Sequence, residues 1–127
     1  MKLLMTLIIL FASHGTFASS CKDDTKYPDV TTKKLETLVA DRSVTIVDVN
    51  SEKSFKKNRV PGAIHYKTNK DKFAQVLPKD KNAMVIAYCG GKRCTAWKDA
   101  AYAACELGYT NVHHYSSGIK GWAKRKM

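Results

Sequence analysis

Two cysteines, Cys89 and Cys94, stand five residues apart in "AYCGGKRCTAW", residues 87–97, with two glycines and two cations between them. A thiol acts as a nucleophile only as thiolate, and this stretch favours the charged form. Gly90 and Gly91 permit backbone angles that turn successive N–H groups inward, an anion-binding nest. Lys92 and Arg93 add full positive charges. The residues from about Thr95 read as helical, so a helix N-terminus adds the positive end of its dipole. A free cysteine titrates near ~8.5, and such neighbours lower that by several units. The chemistry expected is a reactive Cys89 thiolate beside a seat for an anionic substrate. No histidine is adjacent in sequence, and a thiol this acidic needs none as base.

The other chemistry-bearing side chains read as structural. His113 and His114 are neighbours on a strand, so they point to opposite faces and form no ligand pair. His65 follows a short strand and carries no assigned role. No Cys-x-x-Cys pair or zinc-ligand spacing is present, so neither metal nor cofactor is expected. Cys105 lies among alanines at helical spacing in "AAYAACELG" and reads as a small buried core residue. Trp122 and Tyr109 read as packing residues, and Lys124, Arg125 and Lys126 as a solvated tail.

The elements that position the loop follow from periodicity. After a short extended segment, Tyr27 to Thr31, Thr32 is expected to cap a helix with Leu35, Leu38 and Val39 on one face. "SVTIVDVN", 43–50, is a β-branched strand. Ser51 caps a short helical turn, Pro61-Gly62 makes a turn, and a short strand runs from Ala63 to Tyr66. A weak helix over 70–76 carries Phe73, Val76 and Leu77. The most apolar strand, 83–88, does not alternate, which suits the buried middle of a parallel sheet and places Cys89 at its carboxyl end. A helix over 95–107 ends at Gly108. A last strand, 110–115, precedes a short C-terminal helix. Strands alternating with helices predict an α/β fold with a mostly parallel sheet, and ligands then sit beyond the strand C-termini.

The chain has 127 residues and 44% apolar residues, which suits one domain. Lys2 precedes an apolar run, Leu3 to Ala12, that is too short to span a bilayer. A small, polar stretch follows, the anatomy of a secretory signal peptide. Residues 1–18 are expected to be removed, giving a mature domain of residues 19–127. An alternative is a lipoprotein signal to residue 20, with Cys21 lipidated and anchoring the protein to a membrane. The formal net charge is +11, and loss of Lys2 leaves +10. Such a field attracts anions. For an exported protein, small inorganic anions or an anionic membrane surface fit better than nucleic acid. Export to the bacterial periplasm is the expected location.

In order and spacing, "IVDVNSEKSFKKNRVPGAIHY", "VIAYCGGKRC" and "AAYAACELGYTNVHHYSSGIKGW" resemble the rhodanese-like domain, from about Tyr27 to Trp122. The most specific pieces are Asp48-Val49, Pro61-Gly62-Ala63-Ile64, Tyr88-Cys89, Leu107-Gly108-Tyr109-x-Asn111-Val112 and Gly118-x-x-x-Trp122. The resemblance implies a parallel sheet of about five strands with helices on both faces. It implies a sulfurtransferase in which Cys89 takes a sulfane sulfur, commonly from thiosulfate, as a persulfide. Gly90, Gly91, Lys92, Arg93, Cys94 and Thr95 would bind the donor, with Asp48 in support. Where members often carry Asp-Val-Arg, this chain has Asp48-Val49-Asn50; Arg59 is the candidate replacement cation. A phosphatase loop would need Cys-x5-Arg, and Thr95 occupies that arginine's place.

The expected activity is therefore thiosulfate sulfurtransferase, with ping-pong transfer to cyanide or a thiol. Two other readings stand beside it: a thiol–disulfide or persulfide redox module using Cys89 and Cys94, and a non-catalytic binding domain of the same fold.

Overall fold

The computed structural model describes residues 20–125. The expected signal peptide, 1–18, and Lys126 lie outside the described residues. Four parallel strands form one sheet: β1 (Thr45–Asp48), β2 (Ile64–His65), β3 (Val85–Tyr88) and β4 (Val112–Tyr115), in the order β2-β1-β3-β4. The expectation of about five strands is met by four. A fifth contributes only a parallel bridge, where Val30 N–H donates to the His114 carbonyl at 2.8 Å and His114 N–H to that of Pro28 at 3.1 Å. Pro28 has no N–H, and this segment turns into a helix at Thr31, so pairing stops after one bridge.

Among the described residues six short α-helices flank the strands: α1 (Thr32–Ala40), α2 (Glu52–Lys57), α3 (Tyr66–Asn69), α4 (Phe73–Val76), α5 (Trp97–Glu106) and α6 (Gly118–Lys124). Thr31, rather than Thr32, caps α1 by accepting from Lys34 N–H. Thr32 is the first helical residue, and its hydroxyl meets that of Tyr115 at 2.7 Å. Ser51 caps α2 as its sequence suggests. The helix expected over 70–76 is split into a 3-10 turn (Lys70–Lys72) and α4, in keeping with its weak pattern, and α3 precedes it. Gly62 (φ +79°) turns the chain into β2, and Gly108 (φ +94°) ends α5, both in the left-handed region that favours glycine.

The strands are buried on both faces, which is why β3 does not alternate. Val47, Val85, Ala87 and Val112 face one core with Phe73, Trp97 and the alanines of α5. Ile46, Ile86, Tyr88 and Tyr115 face the other, with Leu35 of α1 and Trp122 of α6. Each large aliphatic side chain so buried contributes roughly 1.5–3 kcal/mol. Ala100, Ala101 and Ala104 are fully buried and small, so α5 lies close on the sheet.

Two sequence-based expectations are corrected here. Cys105 is not simply a core thiol; it is disulfide-bonded to Cys21 across 84 residues, with Cα atoms 5.6 Å apart. This bond ties the N-terminal segment to α5. It also occupies the Cys21 sulfur, so a lipid thioether on that atom and this disulfide exclude one another. Arg125 is not a free tail residue. Its guanidinium stacks 3.7 Å from the Trp122 ring centre and pairs with Glu36 at 3.3 Å. Trp122 and Tyr109 are buried, as expected of packing residues. Among the described residues no helix is long and apolar enough to cross a membrane.

Candidate active site

The parallel register brings His65, Asp48, Tyr88 and Tyr115 into one row at the carboxyl ends of the strands. The loops leaving that row make the site. Cys89 follows β3 directly and is 2% exposed. Gly90 to Arg93 curl outward and back, and Cys94 N–H donates to the Gly91 carbonyl at 3.0 Å. That N–H closes a turn instead of pointing into a nest.

The two loop thiols are joined. Cys89 and Cys94 form a disulfide, with Cα atoms 6.2 Å apart, inside the range a disulfide requires. In this oxidised form the Cys89 sulfur is capped by the second cysteine. Lys92, Arg93 and Thr95 are exposed on the outer rim. Helix α5 begins at Trp97, two residues later than read from sequence, with no side-chain cap on its first turn.

A clamp that sequence reading missed holds the loop from behind. At the start of α6, Ile119 N–H donates to the Cys89 carbonyl at 2.9 Å and Lys120 N–H to the Gly90 carbonyl at 3.1 Å. Gly118 (φ +59°) makes this approach possible: a Cβ there would lie 2.6 Å from Cys89 O, Gly90 C and Gly91 N. With those carbonyls held by α6, the loop is fixed at its Cys89 end. The aliphatic stem of Lys120 runs beside Gly91 and brings a third cation to the loop. The signal in the sequence was the glycine of Gly118-x-x-x-Trp122, which has no side chain to suggest a role.

Asp48 supports the site at one remove. It is fully buried; one carboxylate oxygen accepts the Tyr88 phenol at 2.5 Å and the other accepts Asn50 N–H at 2.8 Å. The Tyr88 oxygen in turn accepts Val60 N–H at 3.1 Å. Burial, reinforced by the Asp48 carboxylate, pushes the Tyr88 phenol up. The carboxylate thus anchors the residue before Cys89 and the turn after β1. Arg59 is stacked 4.5 Å from the Phe55 ring centre and donates to the Phe55 carbonyl, and its charge opposes the rise of the Tyr88 phenol. Its contacts belong to α2 and not to the Cys89 loop.

Asn50 is the other residue that sequence reading undervalued. It borders the loop: a Cβ on Gly90 would lie 3.8 Å from Asn50 Oδ1. Its Nδ2 is buried with no hydrogen-bond partner among the described residues. Its carbonyl accepts from His65 Nε2 at 2.8 Å, and Thr68 meets His65 Nδ1 at 2.6 Å. Carbonyl oxygen only accepts, so the Nε2–H tautomer is the one this geometry requires. His65 therefore positions the Asn50 turn. His113 and His114 go to separate partners, Asn111 and the Tyr27 carbonyl, and His114 also stacks on Trp97. Burial lowers the His113 pKa. Among the described residues no cluster of His, Cys, Asp and Glu is placed to hold a metal.

The family model of the rhodanese-like domain matches residues 31–125. The chain belongs to the rhodanese-like family. Solved structures agree on the fold. A human single-domain sulfurtransferase is similar at a TM-score of 0.62 and 18% identity, covering 79% of this chain and 98% of that one. A rhodanese-related protein of Thermoplasma volcanium gives 0.57 and 18%, covering 77% and 92%. A Bacillus halodurans protein gives 0.61 and 24%, covering 80% and 74%. No curated protein matches the chain.

Proposed function

We propose that the protein is a sulfurtransferase that carries a sulfane sulfur on Cys89. The observation that carries this reading is the position of Cys89 at the carboxyl end of a central parallel strand, on a loop whose carbonyls α6 clamps. The reduced Cys89 thiolate attacks the outer sulfur of thiosulfate or a similar anionic donor. The sulfur–sulfur bond of the donor breaks, sulfite leaves, and Cys89 holds a persulfide. A cyanide or thiolate nucleophile then takes the outer sulfur and returns the Cys89 thiolate. Lys92, Arg93 and Lys120 raise the local concentration of the anionic donor. Nucleic acid has no part in this reaction.

The setting we propose is outside the cytoplasm, in the bacterial periplasm. The apolar run after Lys2 and two disulfides in so short a chain support it, since disulfides persist in oxidising compartments.

The Cys89–Cys94 bond favours a second reading, a thiol–disulfide module that exchanges with external dithiols without handling sulfur. Intact mass after reduction and thiosulfate treatment separates the two. The first expects a gain of one sulfur or release of sulfite, both lost in Cys89→Ser. Exchange with dithiols and no sulfite would install the second.

A further inference from the structure

We propose that Cys94 is an internal acceptor for the Cys89 persulfide, so that the protein converts a sulfane sulfur donor and an external dithiol into sulfide. This rests on the sulfurtransferase reading and adds a second outlet to it. Three observations carry it. The Cys89 and Cys94 sulfurs reach bonding contact within one loop. The turn closed by Cys94 N–H and the Gly91 carbonyl folds the end of the loop back toward its start. The α6 clamp holds the Cys89 end, so the approach of Cys94 needs only its own side chain and the exposed rim to adjust.

The step balances without an added oxidant. The Cys94 sulfur attacks the inner sulfur of the persulfide, which is Cys89 Sγ. The Cys89–Cys94 bond forms and the bond to the outer sulfur breaks. The outer sulfur leaves with the bonding electron pair and takes the Cys94 proton, giving hydrosulfide. The two cysteines are oxidised together by two electrons, and the sulfane sulfur is reduced to sulfide. An external dithiol then reduces the loop disulfide, forming its own disulfide and returning both thiols. The disulfide in the structure is the product state of this step.

An intramolecular thiol competes well with dissolved acceptors. Attachment in one short loop gives an effective concentration in the millimolar range or above. Cyanide and free thiols would then receive the sulfur only when present in excess over that figure.

The test uses fully reduced protein under anoxia, with stoichiometric thiosulfate and no other thiol. Wild type is expected to release sulfite and then an equal amount of sulfide, and peptide mapping should find Cys89 joined to Cys94. Cys94→Ser is expected to release sulfite, gain one sulfur in intact mass and release at least ten-fold less sulfide. Mapping of wild type keeps the test valid should that variant fold poorly. A wild-type persulfide that persists without sulfide or the Cys89–Cys94 bond overturns the internal acceptor and leaves the sulfurtransferase reading standing. No sulfite and no sulfur uptake from wild type overturns both.

Discussion

The backbone of Gly118 lies so close to Cys89 that a single added carbon would come within 2.6 Å of the Cys89 carbonyl oxygen. The C-terminal helix is therefore part of the Cys89 loop's architecture, although 29 residues separate the two positions.

Gly118→Ala tests that relationship. The substitution meets both a positive φ and a backbone contact, each a source of destabilisation. Together they are expected to lower unfolding stability by about 2–4 kcal/mol. Sulfur transfer should fall several-fold at temperatures where the variant is still folded, because the Cys89 carbonyl loses its fixed donor. Denaturant melts alongside thiosulfate:cyanide assays check both. Wild-type stability would mean that α6 does not press on the loop.

Charge on the rim should act on donor binding more than on chemistry. Lys92→Ala combined with Arg93→Ala is expected to raise the thiosulfate KM several-fold with a smaller change in kcat. Added salt should do the same to the wild type, since exposed charges are screened within about 10 Å at 0.1 M. A KM that ignores both salt and substitution would leave the backbone N–H groups as sufficient for binding.

Alkali should unfold the protein through its buried tyrosines. Burial pushes Tyr27 up to about 12 and, with the Asp48 carboxylate, raises Tyr88 as well. Below pH ~10 these phenols are protonated whether folded or not. Above it the unfolded chain loses protons that the folded chain keeps, so stability is complete below ~10 and falls as pH rises through the folded values. Tyr88→Phe should make that decline shallower by up to about 1.4 kcal/mol per pH unit. At neutral pH the same variant should be less stable by about 1–3 kcal/mol, because Asp48 and Val60 N–H lose a buried partner. Urea melts across pH 7–12 read both effects, and an unchanged slope would refute the role given to Tyr88.

The Cys21–Cys105 bond should carry much of the domain's stability. It closes 84 residues, and replacing both cysteines by serine is expected to cost about 2–4 kcal/mol. The loss should appear with the loop thiols already reduced, which separates it from Cys89–Cys94. Protease cleavage near residues 21–27 should also quicken, since Tyr27 docks its hydroxyl on the Cys21 carbonyl.

The sequence alone was enough to read the α/β fold and to put Cys89 and its loop at the carboxyl end of a central strand. Those are local facts: a β-branched run sets a strand, a glycine ends a helix, and a thiol at their junction stands out against glycine and positive charge. Even the two-sided burial of β3 was legible, because a strand without alternation has no face left for water. What depended on distance was not legible. That Cys105 finds Cys21, that Gly118 admits the Cys89 backbone, that Asp48 serves Tyr88 while Arg59 turns to Phe55, and that Asn50 rather than Arg59 borders the loop are all consequences of which strands lie side by side. Residue type and spacing determine what a segment can form and what a side chain can do. Only the packed sheet decides which partners come within bonding reach, because each such contact joins stretches of chain whose separation in sequence says nothing of their separation in space.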